Sequence, residues 1–160
     1  MKKVFFLFAT LCVFQINYAQ EIADHAIGLR IGSNDGLGSE ISYQHGLSNN
    51  NRIEADLGWR SSNDFKVIKL TGLYQWVWQL ENNFNWYAGV GGGFLSWKLD
   101  NKILKSTNGS ALFVAGDIGI EYKFDIPLLI SLDMRPELGF NKDYSDDLDL
   151  DIALSVRYTF

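Results

Sequence analysis

The sequence predicts an all-β protein, an eight-stranded antiparallel up-and-down transmembrane β-barrel, on three observations. Apolar and polar residues alternate with period two in eight segments beyond residue 24, each bounded by turn residues. No stretch of helical period and helix length follows the first twenty residues. The charged residues collect on one face of these segments, and the large aromatics collect near one end of the other face.

The closing segment, Asp149 to Phe160, shows the pattern most cleanly. Leu150, Ile152, Leu154, Val156, Tyr158 and Phe160 alternate with Asp151, Ala153, Ser155, Arg157 and Thr159. Successive strand side chains point to opposite faces, so the segment is a ribbon with one apolar and one polar face. Alternation alone leaves the apolar face facing either a protein core or a lipid bilayer.

The start of the chain reads as an export signal. Lys2 and Lys3 precede an apolar run from Val4 to Phe14, and Asn17-Tyr18-Ala19 offers a cleavage site. A membrane-spanning helix needs about 20 apolar residues, more than this run holds. Residues 1–19 are therefore expected to leave, and 20–160 to form one barrel domain. Cys12, the only cysteine, goes with them, so no disulfide can hold the mature fold. Two lysines leave as well, which turns 14 basic and 19 acidic residues into 12 and 19, a net charge of −7. That balance, without any basic cluster interleaved with aromatics, argues against a nucleic-acid partner.

Strand one, about His25 to Ser33, sets Ile27, Leu29 and Ile31 against Gly28, Arg30 and Gly32, and Asn34-Asp35-Gly36 turns the chain. Strand two, about Leu37 to His45, carries Ile41 and Tyr43 opposite Glu40, Ser42 and Gln44, and Gly46 to Asn51 reads as the next turn. Strand three, Arg52 to Arg60, alternates throughout, and Ser61 to Asp64 is a loop. Strand four, about Phe65 to Leu80, places Ile68, Leu70, Tyr74, Trp76 and Trp78 on one face, with Val67, Leu73 and Val77 as apolar exceptions on the other. Glu81 to Asn83 follows as a turn.

Strand five, about Phe84 to Lys98, is the least legible, because Gly91-Gly92-Gly93 could hold a bulge. Leu99 to Ser110 is the longest connection. Strand six, Ala111 to Phe124, sets Val114, Ile118, Ile120, Tyr122 and Phe124 against Asp117, Gly119, Glu121 and Lys123. Asp125-Ile126-Pro127 is a turn, and strand seven runs from about Leu128 to Phe140, with Pro136 marking a bulge or a fraying end. Asn141 to Asp147 is an acidic loop before the closing strand. An even strand number, with short turns on one side and longer loops on the other, is the pattern of an outer-membrane barrel.

The polar face gathers Glu40, Glu54, Asp56, Asp117, Glu121, Asp133, Glu137 and Asp151 with Arg30, Arg52, Arg60, Lys69, Lys123, Arg135 and Arg157. Eight acids and seven bases nearly cancel. The apolar face gathers Tyr43, Trp76, Trp78, Trp86, Tyr122, Phe124, Tyr158 and Phe160 at strand ends that an up-and-down meander brings to one rim, the rim of the chain termini. Trp and Tyr favour the bilayer interface, so the apolar face is expected to meet lipid and the charges to fill the interior. An eight-stranded barrel is just wide enough for side chains, so a salt-bridged, hydrated plug is expected, with the inward glycines making room for Arg and Glu. On polarity alone, Ser155→Arg should cost far less than Leu154→Arg.

These features together resemble the small eight-stranded outer-membrane barrels of the OmpA/OmpX type. The segments Gly38 to Gly46 and Gly116 to Pro127 resemble the β-barrel domain of short Bacteroidetes outer-membrane proteins. The resemblance implies outer-membrane lipid as the solvent and a monomeric, non-catalytic barrel whose loops have structural or surface roles. It also implies recognition of Tyr158 and Phe160 by the barrel-assembly machinery during biogenesis. A secreted lipocalin-like barrel binding an apolar ligand is the alternative, with a narrow pore or a lipid-modifying enzyme behind it.

Candidate chemistry is sparse. His25 and His45 are the only histidines and stand toward opposite ends of strands one and two, which reads as too distant for a metal site. Ser42 and Glu40 lie near His45, but Ser42 and His45 have opposite parity. Asp143, Asp146, Asp147 and Asp149 lack the glycine and final Glu of an EF-hand loop. No cofactor, metal or catalytic residue is expected.

Overall fold

The structure is a computed structural model that describes residues 22–32, 39–61, 65–99, 107–140 and 148–160. The expected signal segment lies outside the described residues, as do Asn34-Asp35-Gly36, residues 100–106 and the acidic loop 141–147. The eight strands are β1 (His25–Gly32), β2 (Glu40–Ser48), β3 (Asn51–Ser61), β4 (Phe65–Glu81), β5 (Phe84–Leu99), β6 (Thr107–Lys123), β7 (Leu128–Gly139) and β8 (Asp149–Thr159). Each pairs antiparallel with its sequence neighbour, and β8 pairs with β1 to close the barrel. Closure leaves no sheet edge whose backbone groups would go unpaired in hydrocarbon.

The strand alternation follows the sequence pattern on every strand, including β5. Gly91, Gly92 and Gly93 pair in unbroken register with Leu73, Gly72 and Thr71 on one side and Ala115, Val114 and Phe113 on the other. The glycine run therefore holds no bulge. The register shifts lie instead at strand ends, between Gly46 and Ser48 and between Gln79 and Glu81. Pro136 also leaves the register intact. It lacks an N–H, so the β6–β7 ladder skips from Ala115↔Glu137 to Ile118↔Met134 and resumes in step.

Several boundaries differ from the sequence expectation. Gly46 to Ser48 continue β2, so the turn into β3 is only Asn49-Asn50. Asn82 in the β4–β5 turn has φ 47°, a left-handed conformation that asparagine tolerates better than most residues. β6 begins at Thr107, four residues before the expected Ala111, so β5 and β6 form a longer hairpin and the connection between them shortens.

The turns on the terminal rim are stitched to neighbouring strands. The carbonyls of Asn50, Asn83 and Pro127 accept from the N–H groups of Val77, Lys123 and Thr159, and the Asp24 carbonyl accepts from Gly46. At the seam, the N–H of Phe160 donates to the His25 carbonyl at 3.0 Å and the N–H of His25 donates back at 3.2 Å.

Gly28 controls the approach of β1 to β8. A Cβ there would overlap the Val156 carbonyl oxygen and stand 2.6 Å from the Arg157 Cα, both backbone atoms of β8. Gly28→Ala is expected to push the seam apart and cost about 1–3 kcal/mol, as overpacking does. Urea unfolding in detergent micelles reads this directly. An unchanged midpoint would show that the seam has slack.

Candidate functional site

The interior is the most heavily built part of the molecule. Eight carboxylates (Glu40, Glu54, Asp56, Asp117, Glu121, Asp133, Glu137, Asp151) and five cations (Arg30, Arg52, Lys69, Arg135, Arg157) are buried there, each 5% exposed or less. Every one sits on the inward parity of its strand, so the period-two pattern delivers them all to one enclosed space.

Three arginines organise the network. Arg30 on β1 reaches Asp133 on β7 at 2.5 Å, Asp151 on β8 at 2.5 Å and Glu40 on β2 at 3.2 Å. Arg135 on β7 crosses the barrel to Asp56 at 2.7 Å, Glu54 at 3.2 Å and Glu40 at 3.4 Å. Arg157 on β8 reaches Glu54 at 3.2 Å and donates to the hydroxyls of Ser42 and Ser131. Nearer the terminal rim, Arg52 pairs with Glu121 at 2.8 Å, lies 4.8 Å from the centre of the Tyr87 ring and donates to the Gln75 amide oxygen. Gln75 in turn donates to both Glu54 and Asp117. Lys69 and Glu137 form a separate pair at 2.6 Å toward the loop rim.

Two expected members lie elsewhere. Arg60 is exposed at the end of β3, where its guanidinium lies 5.1 Å from the centre of the Phe65 ring, and Lys123 is only partly buried at the end of β6. Both have inward parity, but strand tilt carries the last residues of a strand past the enclosed section. The near balance of eight acids and seven bases therefore becomes eight against five. Asp117 shows the surplus most plainly. Among the described residues it joins no ion pair; Gln75 donates to its Oδ2 at 2.5 Å, and its Oδ1 has no hydrogen-bond partner.

Apolar and aromatic residues complete the plug. Leu73, Phe113 and Ala115 pack together inside, with the Lys69 ammonium 5.1 Å from the Phe113 ring centre. Tyr87 is 1% exposed and faces Gly119, its register partner. A Cβ on Gly119 would stand 2.5 Å from the Tyr87 ring, so this glycine makes room for an aromatic ring and not for Arg or Glu as the sequence suggests.

The outer face is the reverse of a soluble protein's surface. Leu29, Ile31, Leu57, Ile68, Leu70, Ile120, Leu132, Ile152 and Leu154 all lie outward and exposed, Leu154 at 49%. At the terminal rim this belt gives way to rings. Trp78 and Trp86 stack at 4.3 Å, Tyr122 meets Phe124 and Phe84 edge-on at 4.7 Å each, and Tyr158 and Phe160 stack at 6.2 Å. Tyr43 and Trp76 lie on the same outward face. Phe84, 48% exposed beside Tyr122, is a rim aromatic the sequence reading passed over, although its even number in strand five was the available signal.

Comparison with solved structures matches this geometry. The N-terminal β-barrel domain of Pseudomonas aeruginosa OprF superposes with a TM-score of 0.73 at 11% identity, over 88% of this chain and 100% of that one. Neisserial surface protein A gives 0.60 at 12% identity, over 85% and 94%. Ail, the attachment invasion locus protein of Yersinia pestis, gives 0.57 at 16% identity, over 85% and 96%. The fold is that of an eight-stranded outer-membrane barrel. At these identities the likeness carries the fold alone. No protein-family model matches the chain, and no curated protein does.

This barrel brings no catalytic set together from the candidates. Ser42 and Glu40 are buried inside, where the Ser42 hydroxyl accepts from Arg157 Nε and Glu40 pairs with Arg30 and Arg135. His45 has the opposite parity and lies outside. The reading of the two histidines as distant is wrong. β1 and β2 are antiparallel, so the start of one meets the end of the other and His25 pairs in register with His45.

Proposed function

We propose that the chain is an integral outer-membrane protein whose barrel anchors its long loops at the cell surface, without catalysis and without a standing pore. One observation carries the reading: every buried ion pair points inward while the outward face is a belt of exposed aliphatic residues ending in aromatics. Such a belt would be costly in water and is what a hydrocarbon solvent selects. A lipocalin-like binder needs an apolar interior and a polar exterior, and the distribution here is the opposite. The buried, cross-linked interior favours a plug over a narrow pore.

On this reading residues 1–19 direct export and are removed, and the mature chain begins at Gln20. Tyr158 and the exposed Phe160 stand on the outward face of the last strand, where an assembly factor could pair with them before closure. A monomer satisfies every strand edge, so no second copy is needed.

Cell fractionation tests the location. The protein is expected in the outer-membrane fraction, and recovery in the soluble periplasm overturns the proposal. Planar-bilayer recording of the refolded protein tests the plug, with no steady conductance expected. Large, stable openings would mean that the ion-paired interior parts.

A further inference from the structure

We propose that His25 and His45 form a binding site for a divalent transition-metal ion, of the zinc, copper or nickel class, on the terminal rim. The two Nδ1 atoms are 3.3 Å apart, with the rings 18° from parallel and their centroids 4.9 Å apart. Two nitrogens bound to a tetrahedral zinc at about 2.0–2.1 Å lie about 3.3 Å from each other. Register pairing of β1 with β2 brings the two nitrogens to the separation one ion requires. The rings turn out of their stack as the ion enters, because an imidazole binds a metal in its own plane.

The surroundings fix which atoms are available. The Asp24 carbonyl oxygen, 3.2 Å from His45 Nδ1, can only accept, so His45 carries its proton on Nδ1. His25 Nδ1 then offers its lone pair and accepts from the Tyr43 hydroxyl at 2.8 Å. Metal binding needs His45 to move its proton from Nδ1 to Nε2, a change of tautomer that leaves the ring neutral. The Tyr43 hydroxyl oxygen stands 2.8 Å from one ligand nitrogen and is a third donor atom within reach. Among the described residues no cluster of three His, Cys, Asp or Glu side chains exists, so water completes the shell and the site stays open to exchange. Both rings are partly exposed, and an acidic chain concentrates cations at its surface.

The position gives the ion a structural effect. His25 exchanges two backbone hydrogen bonds with Phe160 and stacks on its ring at 5.3 Å. A metal joining β1 to β2 at this residue therefore stiffens the strand that closes the barrel. Binding to the folded state alone raises thermal stability in proportion to occupancy.

Titration of tag-free, refolded protein with zinc chloride in a non-chelating buffer tests the site, read by calorimetry and thermal unfolding. Saturable binding of one zinc per chain is expected, with a higher unfolding temperature and no such effect from magnesium. Loss of second-shell partners alone costs about 10–100-fold in metal affinity, so His45→Gln should weaken binding by at least about tenfold. Equal responses to zinc and magnesium would mean diffuse attraction to the acidic surface and would overturn the proposal, as would zinc binding unchanged in His45→Gln. Should that variant fail to fold, the wild-type protein supplies the same readout. Zinc should protect His25 and His45 from diethylpyrocarbonate, measured by peptide mass spectrometry, and unprotected histidines would rule the site out.

Discussion

Arg135→Met is expected to destabilise the folded barrel by about 3–5 kcal/mol, the cost of stripping a buried charge cluster of its partner. Arg135 is 0% exposed and is the cation that meets Asp56, with Glu54 and Glu40 also in its reach. Methionine fills similar space but leaves three carboxylates crowded around an apolar side chain. The interior already holds eight acids against five bases, so the loss deepens an existing imbalance. Removing an acid should act in the other direction. Asp117→Asn keeps the Gln75 contact available while discarding a charge that joins no ion pair among the described residues, and it should be neutral or stabilising. Urea titration in lipid vesicles, followed by tryptophan fluorescence, compares the two. If both variants unfold at the wild-type midpoint, the interior is solvated and its ion pairs are screened.

Leu154→Arg is expected to cost about 2–4 kcal/mol in a bilayer, because it sets a guanidinium on the lipid face halfway along β8. Leu148→Arg, immediately before the loop end of β8, should cost only about 0–1 kcal/mol, since the penalty falls toward the interface. The difference between the two, measured as unfolding free energy in vesicles, reads the depth of the belt. Equal costs would remove lipid as the outer solvent. Ser155→Arg no longer serves as the mild control that polarity alone suggests. Ser155 is 0% exposed and lies in register between Arg30 and Ser131, so a second guanidinium there meets both crowding and like charge.

The features legible in the sequence were those that alternation encodes. Strand number, the face of each residue and the burial of Glu40, Glu54, Asp133 and Arg157 follow from parity, because the pleat has one period and two outcomes. What parity cannot express is height. Arg60 and Lys123 share the inward parity of the ion-paired residues, yet stand at strand ends, which changes the interior charge balance. Nor does parity reveal which residues face each other across the barrel. The stacking of His25 on His45 depends on the β1–β2 register, and the fit of Tyr87 over Gly119 on the β5–β6 register. Leu73 and Val77 read as apolar exceptions on the polar face of β4, and the packing of Leu73 with Phe113 and Ala115 of β6 shows that such exceptions form an apolar section of the interior.

The cross-barrel reach of the arginines constrains the order of events in biogenesis. Arg30 lies on the first strand, and two of its three carboxylate partners lie on the last two strands. Arg135, near the end of the chain, finds its partners on β2 and β3. A barrel that entered the bilayer one hairpin at a time would carry these guanidinium groups into hydrocarbon before their counter-charges arrived. Strand-by-strand entry is therefore a high-energy route, and the low-energy one brings the two ends of the chain together at the membrane surface first. Insertion and closure should appear as a single kinetic step, with no long-lived open sheet between them.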